Sequence, residues 1–236
     1  VASRVTYVCG ACALELAEKL KSRFFGQCAR VLAVDAHRLS LKNGEVVDSE
    51  RGVNRSYGEM VCRIAKELRE ETGEYLHYKP EANPASYGVH FAETVTDTFT
   101  GMVEVTDYLA VHDVGRAINP RLLRGQIYGG VQMGVGMALS EELAYDSKGR
   151  PKSASLSRYT MVNAPSMPNV GVLLVEEGEP GGPFGGKSIG EICTVPVAPA
   201  IANAVNASLG TSMTELPFTP ERILAALSAR RETNAR

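Results

Sequence analysis

No apolar run in this chain is long enough to cross a bilayer. The start has no basic stretch followed by an apolar core, so it does not read as a secretory signal. Neither sign of charge dominates. With 25 Lys and Arg against 27 Asp and Glu, the formal net charge is −2. Such a balance gives no electrostatic footprint for nucleic acid or an anionic membrane surface. There is no Walker A loop, no internal repeat and no low-complexity linker. Residues 129–136 are glycine-rich but lack Gly-x-Gly-x-x-Gly spacing, and no strand pattern leads into them, which argues against a dinucleotide-binding turn. Five cysteines are an odd number, and without a secretion signal they read as reduced thiols of a cytoplasmic protein. Cys9 and Cys12 form the one CxxC. With no second pair and no histidine at ligand spacing, they read better as small residues at a helix start than as a redox or metal pair.

What is present suits a globular fold. The 236 residues are 44% hydrophobic and 22% charged, enough for a real core in one domain, or in two lobes divided as 1–85 and 86–236. Leu14, Ala17, Leu20 and Phe24 predict an amphipathic helix over 13–25. Asn43-Gly44 between short alternating runs predicts a type I′ hairpin over 39–47. Ser56 and Glu59 have capping-box spacing ahead of a helix that stops by Gly73. A second hairpin is expected over 87–111, with Val89, Phe91 and Val95 alternating with Gly88, His90, Ala92 and Thr94. Asn119 and Pro120 open a long helix. Five glycines interrupt it, each unfavourable by roughly 1 kcal/mol relative to Ala, so something must approach it closely. Strands are expected near 155–160 and 170–175, a helix running to Leu209, and a last helix from Thr219-Pro220 with a frayed end over 228–236. Helices and hairpins without regular strand–helix alternation predict an α+β fold.

The densest stretch is Gly-Pro-Phe-Gly-Gly-Lys-Ser-Ile-Gly-Glu, residues 182–191. Its glycines allow close approach to a ligand. The amides of residues 187–191 could form an anion-binding nest. Glu191 stands at its end before Ile192, Cys193 and Val195. Apolar company suits a carboxylate that abstracts protons; the plainer reading is a helix cap. This segment, continuing through Pro196-Val-Ala-Pro-Ala-Ile-Ala-Asn-Ala, resembles the C-terminal signature of the xanthine dehydrogenase family, the molybdenum-binding large subunit of the molybdenum hydroxylases. Two further segments agree in order: Asp113-Val-Gly-Arg-Ala-Ile-Asn-Pro, leading to Gly125-Gln126-Ile-Tyr-Gly-Gly, and Glu215-Leu-Pro-Phe-Thr-Pro-Glu-Arg-Ile-Leu. The resemblance covers nearly the whole chain.

The resemblance implies the second half of a molybdenum-cofactor-binding domain within a much longer subunit. The start at Val1 rather than Met fits a fragment or processed product. It implies oxidative hydroxylation of a purine-like heterocycle or an aldehyde with oxygen from water, Glu191 being the general base. It places Gln126 against the pterin, Lys187, Ser188, Ile189 and Gly190 at the cofactor, and Ala2 and Ser3 in a turn near the molybdenum, with no direct metal ligand from this chain. The cofactor implied is molybdopterin, as the cytosine dinucleotide in bacterial relatives. A 2Fe-2S centre and FAD are expected on partner subunits or domains, together with the upstream half of the large subunit and a dimer of the complex. A rival reading keeps the fold as a non-catalytic assembly piece. His112 and Asp113, adjacent on a strand, point to opposite sides and make a poor catalytic pair. His90 reads as a strand histidine with a local partner, and Tyr159 and Asn163 have no defensible role.

Overall fold

The computed structural model describes residues 4–52 and 54–234. They form two compact units, one of Val8–Glu81 and one running from Ala82 onward with the segment ending at Tyr7. Each combines helices with a three-stranded sheet, an α+β architecture. Ala2 and Ser3 lie outside the described residues.

In the smaller unit, helix α1 (Gly10–Leu32) precedes strands β1 (Leu39–Lys42), β2 (Glu45–Asp48) and β3 (Asn54–Ser56), paired antiparallel in that order. Helix α2 (Tyr57–Arg63) continues as a π-helical turn, Ile64–Leu68. α1 outruns the expected 13–25 because its buried stripe continues from Phe24 through Gln27 and Cys28. Asn43 and Gly44 both have positive φ, 51° and 78°, as the type I′ turn requires. The Ser56 hydroxyl accepts from the Glu59 amide at 3.1 Å, half of a capping box. The helical run ends at Leu68, short of Gly73, with Arg69 left-handed. All five cysteines are free, and Cys9 is exposed.

In the larger unit, β4 (Gly88–Thr96) pairs antiparallel with β5 (Val103–Asp113), and β5 pairs parallel with β6 (Asn169–Val175). Between β5 and β6 runs α3 (Pro120–Leu139); α4 (Val197–Leu209) and α5 (Pro220–Asn234) follow. The Asn119 side chain caps α3 by accepting from Leu122 N at 3.1 Å, and Pro120 takes the first helical position. One core joins Ile127, Val131 and Val135 of α3 to Val197, Ile201 and Val205 of α4, beneath Tyr108 and Ala110 of the sheet.

Four of the five glycines of α3 divide into two sets, and a Cβ on the fifth, Gly136, would overlap the Glu141 side chain. A Cβ on Gly130 would overlap the Cys193 sulfur, and one on Gly134 the Val197 side chain. There the approaching partners are Cys193 in the turn before α4 and Val197, the first residue of α4. Gly125 and Gly129 have nothing within 4 Å.

Two expectations fail, and β4 turns an unexpected face inward. Residues 155–160 are turns, closed by Arg158 N and Tyr159 N donating to Ser155 O. With no neighbouring strand to pair with, this Ser-rich segment satisfies its backbone locally, and the Tyr159 hydroxyl donates to Glu141. The final segment does not fray at Ser228, because α5 continues to Asn234. On β4 the apolar face is the exposed one: Val89, Phe91 and Val95 are more than half exposed. His90, Ala92 and Thr94 turn inward, which is possible because His90 finds buried partners.

Candidate functional site

The glycine-rich loop before Glu191 is clasped from two sides. Lys187 N donates to Val114 O at 3.0 Å, and the Lys187 ammonium meets Asp113 Oδ2 at 2.6 Å and Ala85 O at 3.3 Å. The Ser86 hydroxyl donates to Ser188 O at 3.1 Å. Residues 85–86 thus lie alongside 187–188. Both partners of the Lys187–Asp113 pair are mostly buried. Burial works against the charged Asp113, yet the Lys187 ammonium and the Gly115 amide hold its carboxyl below the ordinary range. The hydrogen bond from Asp113 leads the factors that raise the pKa of Lys187. This cation is therefore committed within the fold, and its amide is also used. The nest expected over 187–191 reduces to Ser188, Ile189, Gly190 and Glu191, whose amides donate to no described residue.

Glu191 opens a run of turns. Its carbonyl accepts from Thr194 N at 3.0 Å, and α4 begins only at Val197, after Pro196 and without a side-chain cap. The carboxylate is exposed and bonds to no described residue, so it does not act as a helix cap. The apolar side chains Ile118, Phe184 and Val195 are each at least half exposed on the same loops.

Cys193 ties this turn to α3. Its buried sulfur lies 2.8 Å from Gly190 O and 3.4 Å from Gln126 O, and burial raises its thiol pKa. Cys193 thereby joins the backbone at Gln126 to the turn that carries Glu191, 65 positions later in the chain. The Gln126 side chain is exposed, on the same helix face as the open Gly129. Among the described residues, no three of His, Cys, Asp and Glu converge as metal ligands.

One group of residues was not foreseen. His90 Nδ1 is 2.7 Å from the Tyr108 hydroxyl, and His90 Nε2 is 2.8 Å from His112 Nε2. Both histidines are buried, His112 completely. Local alternation puts His90 on one face of β4, and only the register that pairs Gly88 with His112 and Ala92 with Tyr108 assembles the three. Burial first, then the neighbouring His112, lowers the pKa of His90 to about 4; burial also lowers that of His112. A histidine kept neutral in the fold but free to protonate when unfolded makes the unfolded state bind more protons between pH about 6.5 and 4. Stability then falls with pH through that window, by about 3 kcal/mol for His90. Denaturant unfolding at pH 7 and pH 4.5 should show a smaller loss in His90→Gln than in the parent, the remainder coming from His112 and from carboxylates such as Asp113. An equal loss in both proteins would assign it to groups other than His90.

Residues 1–168 match the molybdopterin cofactor-binding domain family. The chain is 34% identical over 227 residues to the xanthine dehydrogenase molybdenum-binding subunit of Escherichia coli O157:H7, covering 94% of this chain and 30% of that protein. Among solved structures it resembles the Cu,Mo-CO dehydrogenase, with a TM-score of 0.77 and 25% identity over 96% of this chain and 30% of that one. It is also similar to quinoline 2-oxidoreductase from Pseudomonas putida 86, with a TM-score of 0.74 and 26% identity over 97% of this chain and 30% of that one. The chain thus spans about a third of the length of these relatives.

Proposed function

The chain belongs to the molybdopterin cofactor-binding domain family, and from that membership we propose that it works as the C-terminal part of a molybdenum hydroxylase large subunit. The observation that carries this reading is Cys193, which packs the Glu191 turn onto α3 beside Gln126. The donor set suits a pterin. The amides of Ser188, Ile189 and Gly190 have no described acceptor, Gln126 offers an exposed amide that both donates and accepts, and Gly125 and Gly129 leave that face of α3 open. Lys187 contributes by fixing the loop through Asp113. Ala2 and Ser3 are proposed, on resemblance alone, to pass near the metal.

When bound, the molybdenum–pterin group supplies the redox centre that takes two electrons from a substrate carbon. Glu191 supplies the base. Ionised, it accepts the proton of the attacking oxygen nucleophile, and its position on a turn fixed by Cys193 directs it to one place. Its exposure here assigns the exclusion of water to surfaces outside this chain. Ile118, Phe184 and Val195 are the apolar groups that such a cover would bury. We assign the upstream part of the subunit to that role, with iron–sulfur and flavin partners for electron removal, a cytosine dinucleotide form of the pterin, and assembly as a dimer of complexes in the cytoplasm. No described helix is long and apolar enough to cross a membrane. The substrate class is an electron-poor heterocycle or an aldehyde.

Gly129→Leu in the complete subunit tests the reading. Nothing in this chain obstructs the new side chain, and the helix gains up to about 1 kcal/mol of propensity. The cofactor-free protein should melt no earlier than the parent while retaining little molybdopterin. Full pterin loading of G129L would remove the cofactor from this face. A parent that carries no molybdenum when fully assembled would support the non-catalytic assembly role.

A further inference from the structure

The sheet of the larger unit has one covered face and one open face. Tyr108, Ala110 and Val172 point into the core shared with α3 and α4. On the other face stand Val89 and Phe91 of β4, Leu109 and Val111 of β5, and Leu173 and Val175 of β6. The register makes them neighbours. Val89 lies opposite Val111, which lies opposite Leu173, and Phe91 lies opposite Leu109. Val89, Phe91 and Leu173 are each more than half exposed. A sheet face that meets water carries polar side chains at such alternating positions. A contiguous apolar patch instead marks a surface that another protein surface covers.

One end of this face is acidic. Glu93 lies directly opposite Asp107, and Glu104 lies beyond the irregularity after Glu93, opposite Val95. All three acids are exposed. Like charges directly across a strand pair are unfavourable, and among the described residues no cation pairs with any of the three. The Asn169 side-chain amide donates to Asp107 Oδ1 at 3.1 Å, which leaves the charge in place. A hollow lined by Phe91, Glu93, Asp107, Leu109, Asn169 and Gly171 joins the acids to the apolar patch. Apolar walls beside two carboxylates suit the stem and the head of a Lys or Arg side chain.

Two observations choose the occupant. β4, β5 and β6 contain no Lys or Arg, so a second copy of this face has no cation to set against the carboxylates. Most of the length of the chain's relatives lies outside it, and that remainder is the surface a subunit of this family holds in reserve. We propose that the upstream part of the large subunit docks on the outer face of β4–β5–β6, laying apolar side chains over Val89, Phe91, Leu109 and Leu173 and a Lys or Arg against Glu93 and Asp107. The inference rests on the large-subunit reading above.

The test uses the complete large subunit. Glu93→Lys distinguishes the two environments by sign. On a face open to water, the new Lys would pair with Asp107 across the strands, and the variant would melt no lower than the parent. Against a basic docking surface the same change sets cation against cation, so the variant should melt below the parent. Hydroxyl-radical labelling of the unsubstituted subunit should oxidise Phe91 at least about 10-fold more slowly in the folded than in the unfolded form, as the buried centre of an interface requires. A benzophenone side chain introduced at position 91 should cross-link to upstream residues of the same subunit. A Glu93→Lys variant as stable as the parent together with Phe91 labelled nearly as fast as in the unfolded form overturns the inference. So do cross-links from position 91 to a second copy, identified by mixing isotope-labelled and unlabelled subunits, or to an iron–sulfur or flavin subunit. Protection of Phe91 in an assembled enzyme that carries no molybdenum overturns the cofactor reading and leaves this interface standing.

Discussion

Glu191→Gln in the complete enzyme is expected to lower turnover by at least ~10²-fold, the low end of what a general base contributes. Gln is nearly isosteric, and the Glu191 side chain bonds to no described residue, so the fold has nothing to lose there. The backbone contacts that set the turn, Thr194 N to Glu191 O and the Cys193 sulfur to Gly190 O, remain. Molybdenum content should therefore match the parent. An amide cannot take up the proton, so the nucleophile stays weak. The missing interaction acts in the transition state, so kcat should fall and KM should change little. Turnover is measured with reducing equivalents captured and metal assayed in the same sample. Near-parental kcat at full metal loading would place the base elsewhere.

Gly134→Val is expected to destabilise the α3–α4 core strongly. Position 134 is buried against the Val197 side chain, and even a Cβ there overlaps it. Overpacking of a filled core usually destabilises by about 1–3 kcal/mol, and here two branched side chains would claim one space beneath the Glu191 turn. The variant should melt well below the parent, lose its pterin and express poorly. Gly129→Leu, five residues earlier on the open side of the helix, provides the contrast. Equal behaviour of the two variants in thermal unfolding would show that α3 and α4 do not meet through these glycines.

Features that depend on neighbours in the chain were legible in the sequence. The Asn43-Gly44 turn, the Ser56 cap and the Asn119-Pro120 start each rest on interactions within a few residues, and each formed as expected. Gln126 and Glu191 are proposed as site residues only because their flanking motifs resemble a family. The sequence gives no sign that Lys187 pairs within the fold, since Asp113 lies 74 positions away and no local signal announces the pairing. The inward face of β4 was illegible for the same reason. His90 looks like an ordinary strand histidine until the β4–β5 register places Tyr108 and His112 around it. The glycines of α3 could be recognised as unusual, but which of them faced protein and which faced open space depended on where α4 crosses.

That crossing has a mechanical consequence. At Gly130 and Gly134 no α3 side chain intervenes, and Cys193 and Val197 rest directly on the helix backbone. Most helix contacts absorb small disturbances by rotating side chains between rotamers. This one has no such slack, so a displacement of α3 must move the Glu191 turn with it. The spacing between Gln126 and Glu191 therefore behaves like a machined tolerance, insensitive to ordinary thermal jostling and unforgiving of any added atom.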